Sequence, residues 1–589
     1  MTRASLGREL FRRFLSVLMA ALLLVTVSHT QASAAFTLGI MGTVTDGTTG
    51  APLDNVCVTL GPPLRCWTAT NAQGQYLIDL SDIGSPGLTW DLWFLRGGFD
   101  GQKNTVAVNG VVTLNVKLVR SPGVTNPPSA PVPPNLVQPV VGQLPAVTQS
   151  FTVYLPNITK TLGGPTGWHT PFIVQNVGAT SAALTVNFYA FSDGSLVATR
   201  SATVLPGRSF VDSPRDEADL PGNSQFSVVI TSVGAPVVAV VNEHQGPGAG
   251  NEALSYSGIS TGATSVYLPL VSKNVGGWLS TMIMQNVGGA ATTVTASFVS
   301  LDGTKTGTIV RTVDPGRSQF IDPRFESALV DGFEYSAVLT ASQPIAVVTN
   351  NHHDLPGVTP AEGDSYNGVA VNGVATTYLP YIANNTDGLA RASRVIVQNA
   401  GTTAATPVIS LYKFAGGPAI SVPAPQIAPG GAFAFTPSTQ ADGEYSATIG
   451  GSGTFAAVVT TLTNGTALYY TGTSTPATKL FVPNVTRKLT QDPTTDPGWN
   501  TPILIQSSTA ATATLTWYRF SDGSLVTTQT VSLSPNITLR VDPAAVTGLS
   551  DNSQYAVVIE AQGLVVAIVT ELNLIGGDDA MIYKAFSAP

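Results

Sequence analysis

Along the 589-residue chain, short stretches place apolar and polar residues at alternate positions. Leu184, Val186 and Phe188 alternate with Thr185 and Asn187 ahead of Ser192-Asp193-Gly194-Ser195, and Leu515 and Trp517 precede Ser521-Asp522-Gly523-Ser524. A period of two sends successive side chains to opposite faces, so each stretch reads as a half-buried strand entering an Asp-Gly hairpin turn. Asp302-Gly303 and Gly416-Gly417 stand at the matching points between them. Other stretches are apolar at nearly every position, among them Val237-Val238-Ala239-Val240-Val241 and Ile345-Ala346-Val347-Val348. Hydrophobic residues make up 43% of the chain and charged residues only 11%, with 58 Gly and 41 Pro. That balance suits short strands and turns; helices need Glu, Lys and Arg on their exposed faces. The expected fold class is all-β, a series of tandem β-sandwiches.

The pattern repeats four times. An opening aromatic (Tyr154, Tyr267, Tyr378, Phe481) stands two residues before a Pro, and a Gln follows at Gln175, Gln285, Gln398 and Gln506. Turns beginning at Pro206, Pro315, Pro429 and Pro535 lie 31, 30, 31 and 29 residues beyond each Gln. Then come Phe226, Tyr335, Tyr445 and Tyr555, each with a Ser within two residues, the apolar strand, and a closing aromatic at Tyr256, Tyr366, Tyr470 or Tyr583. Constant spacing over this distance fixes a register. The stretch from opening aromatic to Gln varies instead, at 21, 18, 20 and 25 residues, as a surface loop can. Each repeat therefore predicts seven to nine short strands in an immunoglobulin-like sandwich, with boundaries at 151–262, 263–374, 375–477 and 478–589.

Ahead of the repeats, residues 35–120 form a separate unit of short strands. Gly42-Thr43-Val44-Thr45-Asp46, Gly50-Ala51-Pro52-Leu53 and Asn71-Ala72-Gln73-Gly74-Gln75-Tyr76 carry G-x-V-x-D, G-x-P-L and N-x-x-G-x-Y patterns. This segment resembles the carboxypeptidase regulatory-like domain. The resemblance implies a transthyretin-like, seven-stranded, non-catalytic sandwich attached to secreted bacterial proteins. Gly74 is expected at a turn with positive φ, and Tyr76 as a buried strand aromatic. Residues 121–150, with eight Pro and no internal charge beyond the boundary, read as a semi-rigid spacer in extended polyproline geometry.

Residues 1–34 have the three parts of a secretory signal peptide: Arg3, Arg8, Arg12 and Arg13, an apolar run from Phe14 to Val27, and Ala32-Ser33-Ala34. Export and an extracellular or cell-surface location are the expectation. The apolar run is too short to span a bilayer, and no later run approaches twenty residues, so no membrane insertion is expected. The formal net charge is −8, and losing four Arg and Glu9 with the leader makes it −11. An acidic balance argues against nucleic acid as a partner. The two cysteines, Cys57 and Cys66, flank Gly61-Pro62-Pro63, and an even count in an oxidising compartment predicts one local disulfide.

Candidate chemistry is sparse. Past the leader the histidines are His169, His244, His352 and His353, and none begins an H-x-x-E or H-E-x-x-H zinc pattern. Glu243, His244, His352, His353 and Asp354 are weak candidates for a metal, since imidazole and carboxylate together can ligate a divalent cation. Asn and Asp gather at strand ends for backbone reasons as well. Neither a catalytic residue nor a cofactor is implied. Trp168, Trp278 and Trp499 occupy one aligned position, seven residues before each Gln, with Arg391 in the third repeat. A Trp there either closes one end of a sandwich or stacks on a sugar ring. Asn157-Ile158-Thr159 and Asn484-Val485-Thr486 have the form of glycosylation sequons.

The expectation is a non-enzymatic extracellular structural or adhesion protein. Short junctions between repeats predict a rod upwards of ~120 Å long. The alternatives are a carbohydrate-binding array and an accessory subunit of a secreted hydrolase. The partner is an unknown surface protein or a polysaccharide.

Overall fold

The computed structural model describes residues 39–54, 56–60, 68–80, 88–96, 99–121, 149–164, 167–245, 252–353, 361–371, 373, 375–386, 391–463, 465–490, 496–573 and 580–587. The leader, nearly all of the Pro-rich stretch, Cys66 and Asp354 lie outside these residues. The described chain is almost all β, with three short 3-10 turns and no α-helix among the described residues. It divides into two compact units, Met1–Val147 and Thr148–Pro589.

In the first unit, Gly39–Asp46 pairs antiparallel with Gln75–Asp79 and parallel with Val111–Thr113 and Val116–Leu118. A second four-stranded sheet orders Thr68–Ala69, Cys57–Leu60, Leu88–Leu95 and Gln102–Val108. Ile40, Val44, Val58, Ile78, Leu92 and Phe94 fill the space between the sheets. Tyr76 is buried edge-on against Phe94 and donates from its hydroxyl to the Leu114 carbonyl at 2.7 Å. Gly74 has φ +73°, and a Cβ there would stand 2.4 Å from the Val44 carbonyl oxygen. Both residues are as the sequence predicts.

Each repeat of the second unit is a sandwich. In repeat 1 one sheet orders Leu196–Val204, Ala182–Ala190, Ser224–Val233 and Ser150–Lys160. The other contains Ser209–Asp212, Phe172–Asn176, Val237–Gln245 and an inner strand, Ala253–Ser257. Leu184, Val186 and Phe188 face the core, as their alternation requires. In repeats 2 and 4 one long strand, Phe333–His353 or Ser553–Leu572, serves both sheets.

The repeats do not form a rod. They close into a ring, each one packed against the next. Ile283 and Val348 of repeat 2 join the core of repeat 1, Ile396 and Val458 of repeat 3 that of repeat 2, and Leu504 and Ile568 of repeat 4 that of repeat 3. Ile173 and Val240 of repeat 1 complete the circuit in the core of repeat 4. The physical reason lies in the strands that are apolar at every position. One face of Val237–Gln245 belongs to its own sandwich, and the other needs cover that an end-to-end rod does not supply.

Two of the four Gln anchors join their repeat to its neighbour, whereas the side chain of Gln285 bonds only to Gly316 O of its own turn among the described residues. Gln398 donates to Ala337 O in repeat 2 and to Gly430 O in its own turn, both at 3.0 Å. Gln506 does the same with Ala447 O and Asn536 O, both at 3.1 Å. The Ser beside the core aromatic reaches the turn of the following repeat: Ser227 to Gly316 O, Ser336 to Gly430 O and Ser446 to Asn536 O. Ala556 takes that place at the fourth junction. Arg394 holds Glu334 through two bonds of 2.6 Å, and Arg540 pairs with Glu444.

Candidate binding face

The four inner strands, Ala253–Ser257, Glu362–Asn367, Thr466–Thr471 and Ala580–Lys584, line the centre of the ring. Their N-terminal ends lie at one face of it. That face gathers the aromatic and histidine side chains that lie far apart in the sequence. Trp168–His169 pairs with Gln245 and His244, Trp278 opens the strand Trp278–Asn286, and His352 and His353 end Phe333–His353. Each Trp is half-buried. Trp168 meets His352 of repeat 2 edge-on at 5.5 Å. Trp278 stacks on His353 at 4.9 Å and touches Tyr469 of repeat 3. Trp499 meets His244 of repeat 1 at 6.0 Å, and His244 stacks on His169. Three junctions are thus roofed by an aromatic. At the remaining position Arg391 is buried.

Below this face lies a layer of buried carboxylates, each held by polar groups of a neighbouring repeat. Glu243 is 2% exposed, and one of its oxygens accepts from Asn157 of its own repeat at 2.9 Å and Asn350 of repeat 2 at 3.0 Å. Glu571 accepts from Asn484 of its own repeat and from Asn242 of repeat 1, both at 2.8 Å. Asp364 accepts from the backbone N–H groups of Ser255, Ser365 and Tyr469. Glu252 takes His352 Nδ1 at 2.7 Å and His353 N at 2.8 Å.

Burial sets the protonation of this layer. It pushes Glu243 and Glu571 up to about 7 and raises Asp364 well above the usual carboxylate range. Burial and the neighbouring His169 draw His244 down to about 4.

Among the described metal candidates, no three come together. Glu243 is engaged by amides, His244 lies between His169 and Trp499, and His352 binds Glu252. Among the described residues no group of three or more His, Cys, Asp or Glu is arranged to hold a metal. The two sequons are structural instead: Asn157 and Asn484 are buried, with their amides donated to Glu243 and Glu571. Cys57 is buried at the start of its strand, and its expected partner Cys66 lies outside the described residues.

Sequence reasoning did not anticipate the junction grooves. Between repeats 1 and 2 a groove of about 230 Å³ is lined by Leu162, Trp168, Ile283 and Phe320, with Gln225, Asp322 and Arg324 among its polar groups. Arg324 is held by Asp322 through bonds of 2.9 and 2.6 Å. Gln225 donates to Asn157 at 2.7 Å. In repeat 2 the segment of variable length before the Gln forms the hairpin beside Trp278, at Asn274–Gly277, where Gly276 and Gly277 have φ of 57° and 93°. Gly258-Ile259-Ser260-Thr261-Gly262 has G-x-S-x-G spacing, but Ile259 is bridged to Tyr154 in extended chain. The strand-turn-helix of a nucleophile elbow is not formed there.

No family model and no curated protein matches this chain. Among solved structures, Thermotoga maritima 1070 is similar over 19% of this chain and 97% of its own, at 14% identity and a TM-score of 0.17. BcpA, the major pilin subunit of Bacillus cereus, is similar over 57% of this chain and 94% of its own, at 11% identity and 0.12. An α-L-rhamnosidase of Streptomyces avermitilis, complexed with L-rhamnose, covers 89% of this chain and 52% of its own, at 11% identity and 0.13. Likeness at this level carries no argument about function.

Proposed function

We propose that the chain is an exported, non-enzymatic binding and adhesion protein, in which the four-repeat ring is a rigid platform that engages a glycan through its aromatic face. The observation that carries this reading is the groove between repeats 1 and 2. There a half-buried Trp168 and Phe320 stand beside Gln225, Asp322 and Arg324. A flat apolar ring beside amide, carboxylate and guanidinium groups matches a sugar, which offers an apolar C–H face and a rim of hydroxyls.

The buried carboxylates support a non-catalytic role. Glu571 has both oxygens engaged by amides, which leaves it no free oxygen to act as a general acid or nucleophile; Glu243 lines the groove at 2% exposure, with Asn157 and Asn350 holding one of its oxygens. The leader pattern of residues 1–34 supports export. The regulatory-like resemblance of residues 35–120, carried by their sequence motifs, assigns that unit no catalysis.

Tryptophan fluorescence titrated with a panel of neutral and acidic polysaccharides tests the glycan reading. The expected result is a saturable shift that Trp168→Ala and Arg324→Ala each weaken by about tenfold or more, with the thermal midpoint unchanged. No shift with any polysaccharide would remove the glycan. Separating cells from medium tests adhesion independently, and protein found wholly free in the medium would count against it.

A further inference from the structure

The ring has a second concave feature at its opposite end. The inner strands run from the aromatic face to Ser257, Asn367, Thr471 and Lys584, which stand at equivalent positions of the four repeats, opposite Val240, Val348, Val458 and Ile568. Together with the two residues before each of them on the inner strands, these four residues line a constriction of about 10 Å³, room for one oxygen atom or one water. It opens into a cavity of about 350 Å³ that all four repeats line. Val153, Val238, Leu480, Val566 and Phe586 give the cavity its apolar wall.

The polar groups at the constriction are unspent. Ser257 is 7% and Thr471 2% exposed, and neither hydroxyl has a hydrogen-bond partner among the described residues. Lys584 is the one charged residue lining either space, and no described carboxylate pairs with it. Asn367 is occupied, accepting from Ser257 N and donating to Ser257 O. Two buried hydroxyls and an ammonium at one level of the ring are three donors with nothing to receive them. Burial without a partner costs the two hydroxyls free energy, and the half-buried ammonium beside them has no anion among the described residues. A bound acceptor with negative charge removes that cost.

We propose that this axial cavity binds a small monocarboxylate with an apolar body, its head group held at the constriction by Lys584, Ser257 and Thr471 and its body against Val153, Leu480, Val566 and Phe586. A carboxylate offers two acceptor oxygens to the three donors, and charge assistance from the ammonium makes the strongest of those bonds. The apolar wall favours an alkyl or aryl acid over a bare inorganic anion. Burial also draws the Lys584 amine down to about 8, as a cation without an anion should be drawn. The site lies at the far end of the ring from the aromatic face, so it stands or falls apart from the glycan reading.

The probes are hexanoate and benzoate, with hexanol and inorganic sulfate as controls, titrated into the purified full chain by calorimetry. Hexanoate or benzoate should bind saturably, hexanol and sulfate should not, and Lys584→Met should weaken the acid by about tenfold or more. The double variant Ser257→Ala/Thr471→Val should weaken it as well, which keeps the idea testable if Lys584→Met fails to fold. Equal affinity in the variants, no carboxylate binding at tens of millimolar, or sulfate bound in preference to the acids would each overturn the proposal.

Discussion

At the scale of single residues, the buried carboxylates make the ring sensitive to pH in a predictable direction. Glu243 and Glu571 have pKa values raised to about 7, so their contribution is fully present below the ordinary carboxylate pKa and is lost as pH rises through 7. His244 has the opposite sign. Its value is lowered to about 4, so its contribution is complete above the ordinary histidine pKa and is lost as pH falls. Between pH 6.5 and 8 His244 no longer changes, whereas the glutamates do, alongside Lys584, drawn down to about 8, and Asp212, raised to about 6. Stability should therefore fall by about 1 kcal/mol per glutamate over that window. Thermal midpoints at the two pH values check this. The slope should flatten in Glu243→Gln/Glu571→Gln, and an unchanged slope would show that other groups set it. Little of this was legible in the sequence. Glu243 and Glu571 stand beside Asn242 and Asn573, and the spacing gives no sign that Glu571 takes its second amide from repeat 1, 329 residues away.

At the scale of elements, the Asn and Gly that follow each of the first three framework Gln residues, as Gln175-Asn176-Val177-Gly178, Gln285-Asn286-Val287-Gly288 and Gln398-Asn399-Ala400-Gly401, are readable and their meaning is local. Asn176 donates to Thr180 O and Val204 O and accepts from Gly178 N; Asn286 and Asn399 repeat the three bonds with Ala290, Val313 and Gly288, and with Thr403, Ile427 and Gly401. The turns downstream were readable as turns, but their second role was not. Gly316 and Gly430 both have φ +74°. A Cβ at Gly316 meets nothing within 4 Å, whereas one at Gly430 comes to 3.3 Å of Val338 in the preceding repeat. Gly316→Ala should cost roughly 1 kcal/mol from the left-handed conformation alone. Gly430→Ala should cost more, because the junction between repeats 2 and 3 must also give way. Denaturant midpoints of the two variants compare them directly, and equal losses would mean that the turn's contact with its neighbour is unimportant.

At the scale of the whole second unit, closure should show in its dimensions. Small-angle scattering from residues 148–589 should give a radius of gyration of ~22 Å, the value for a compact chain of that length. A rod of ~120 Å would exceed it by about half. The seam between repeats 4 and 1 has its own test. Asn242→Ala removes the amide that crosses it to Glu571 and leaves a buried carboxylate oxygen unpaired, at a cost of about 1–3 kcal/mol. Thermal unfolding should register that loss. No loss would place the strength of the seam in its apolar contacts, Ile173 and Val240 in the core of repeat 4 and Val177 and Val238 against Phe481 and Val558.

The sequence by itself determined which residues are strands, where they turn, how the repeats are registered and which Gln and Asn recur as framework. All of these follow from period-two burial, turn chemistry and constant spacing, which act within a few dozen residues. It also carried, unread, the sign that the repeats are covered on both sides, in strands apolar at every position. Only the tertiary structure decided what covers them. Whether sandwiches joined by short connections stack end to end or close on themselves depends on the angle at each junction, and that angle is set by how Ile283, Ile396, Leu504 and Ile173 fit into a neighbouring core. Closure then brought Trp168, Trp278, Trp499 and the histidines to one face. At the other end it left Lys584 facing Ser257 and Thr471 across the axis.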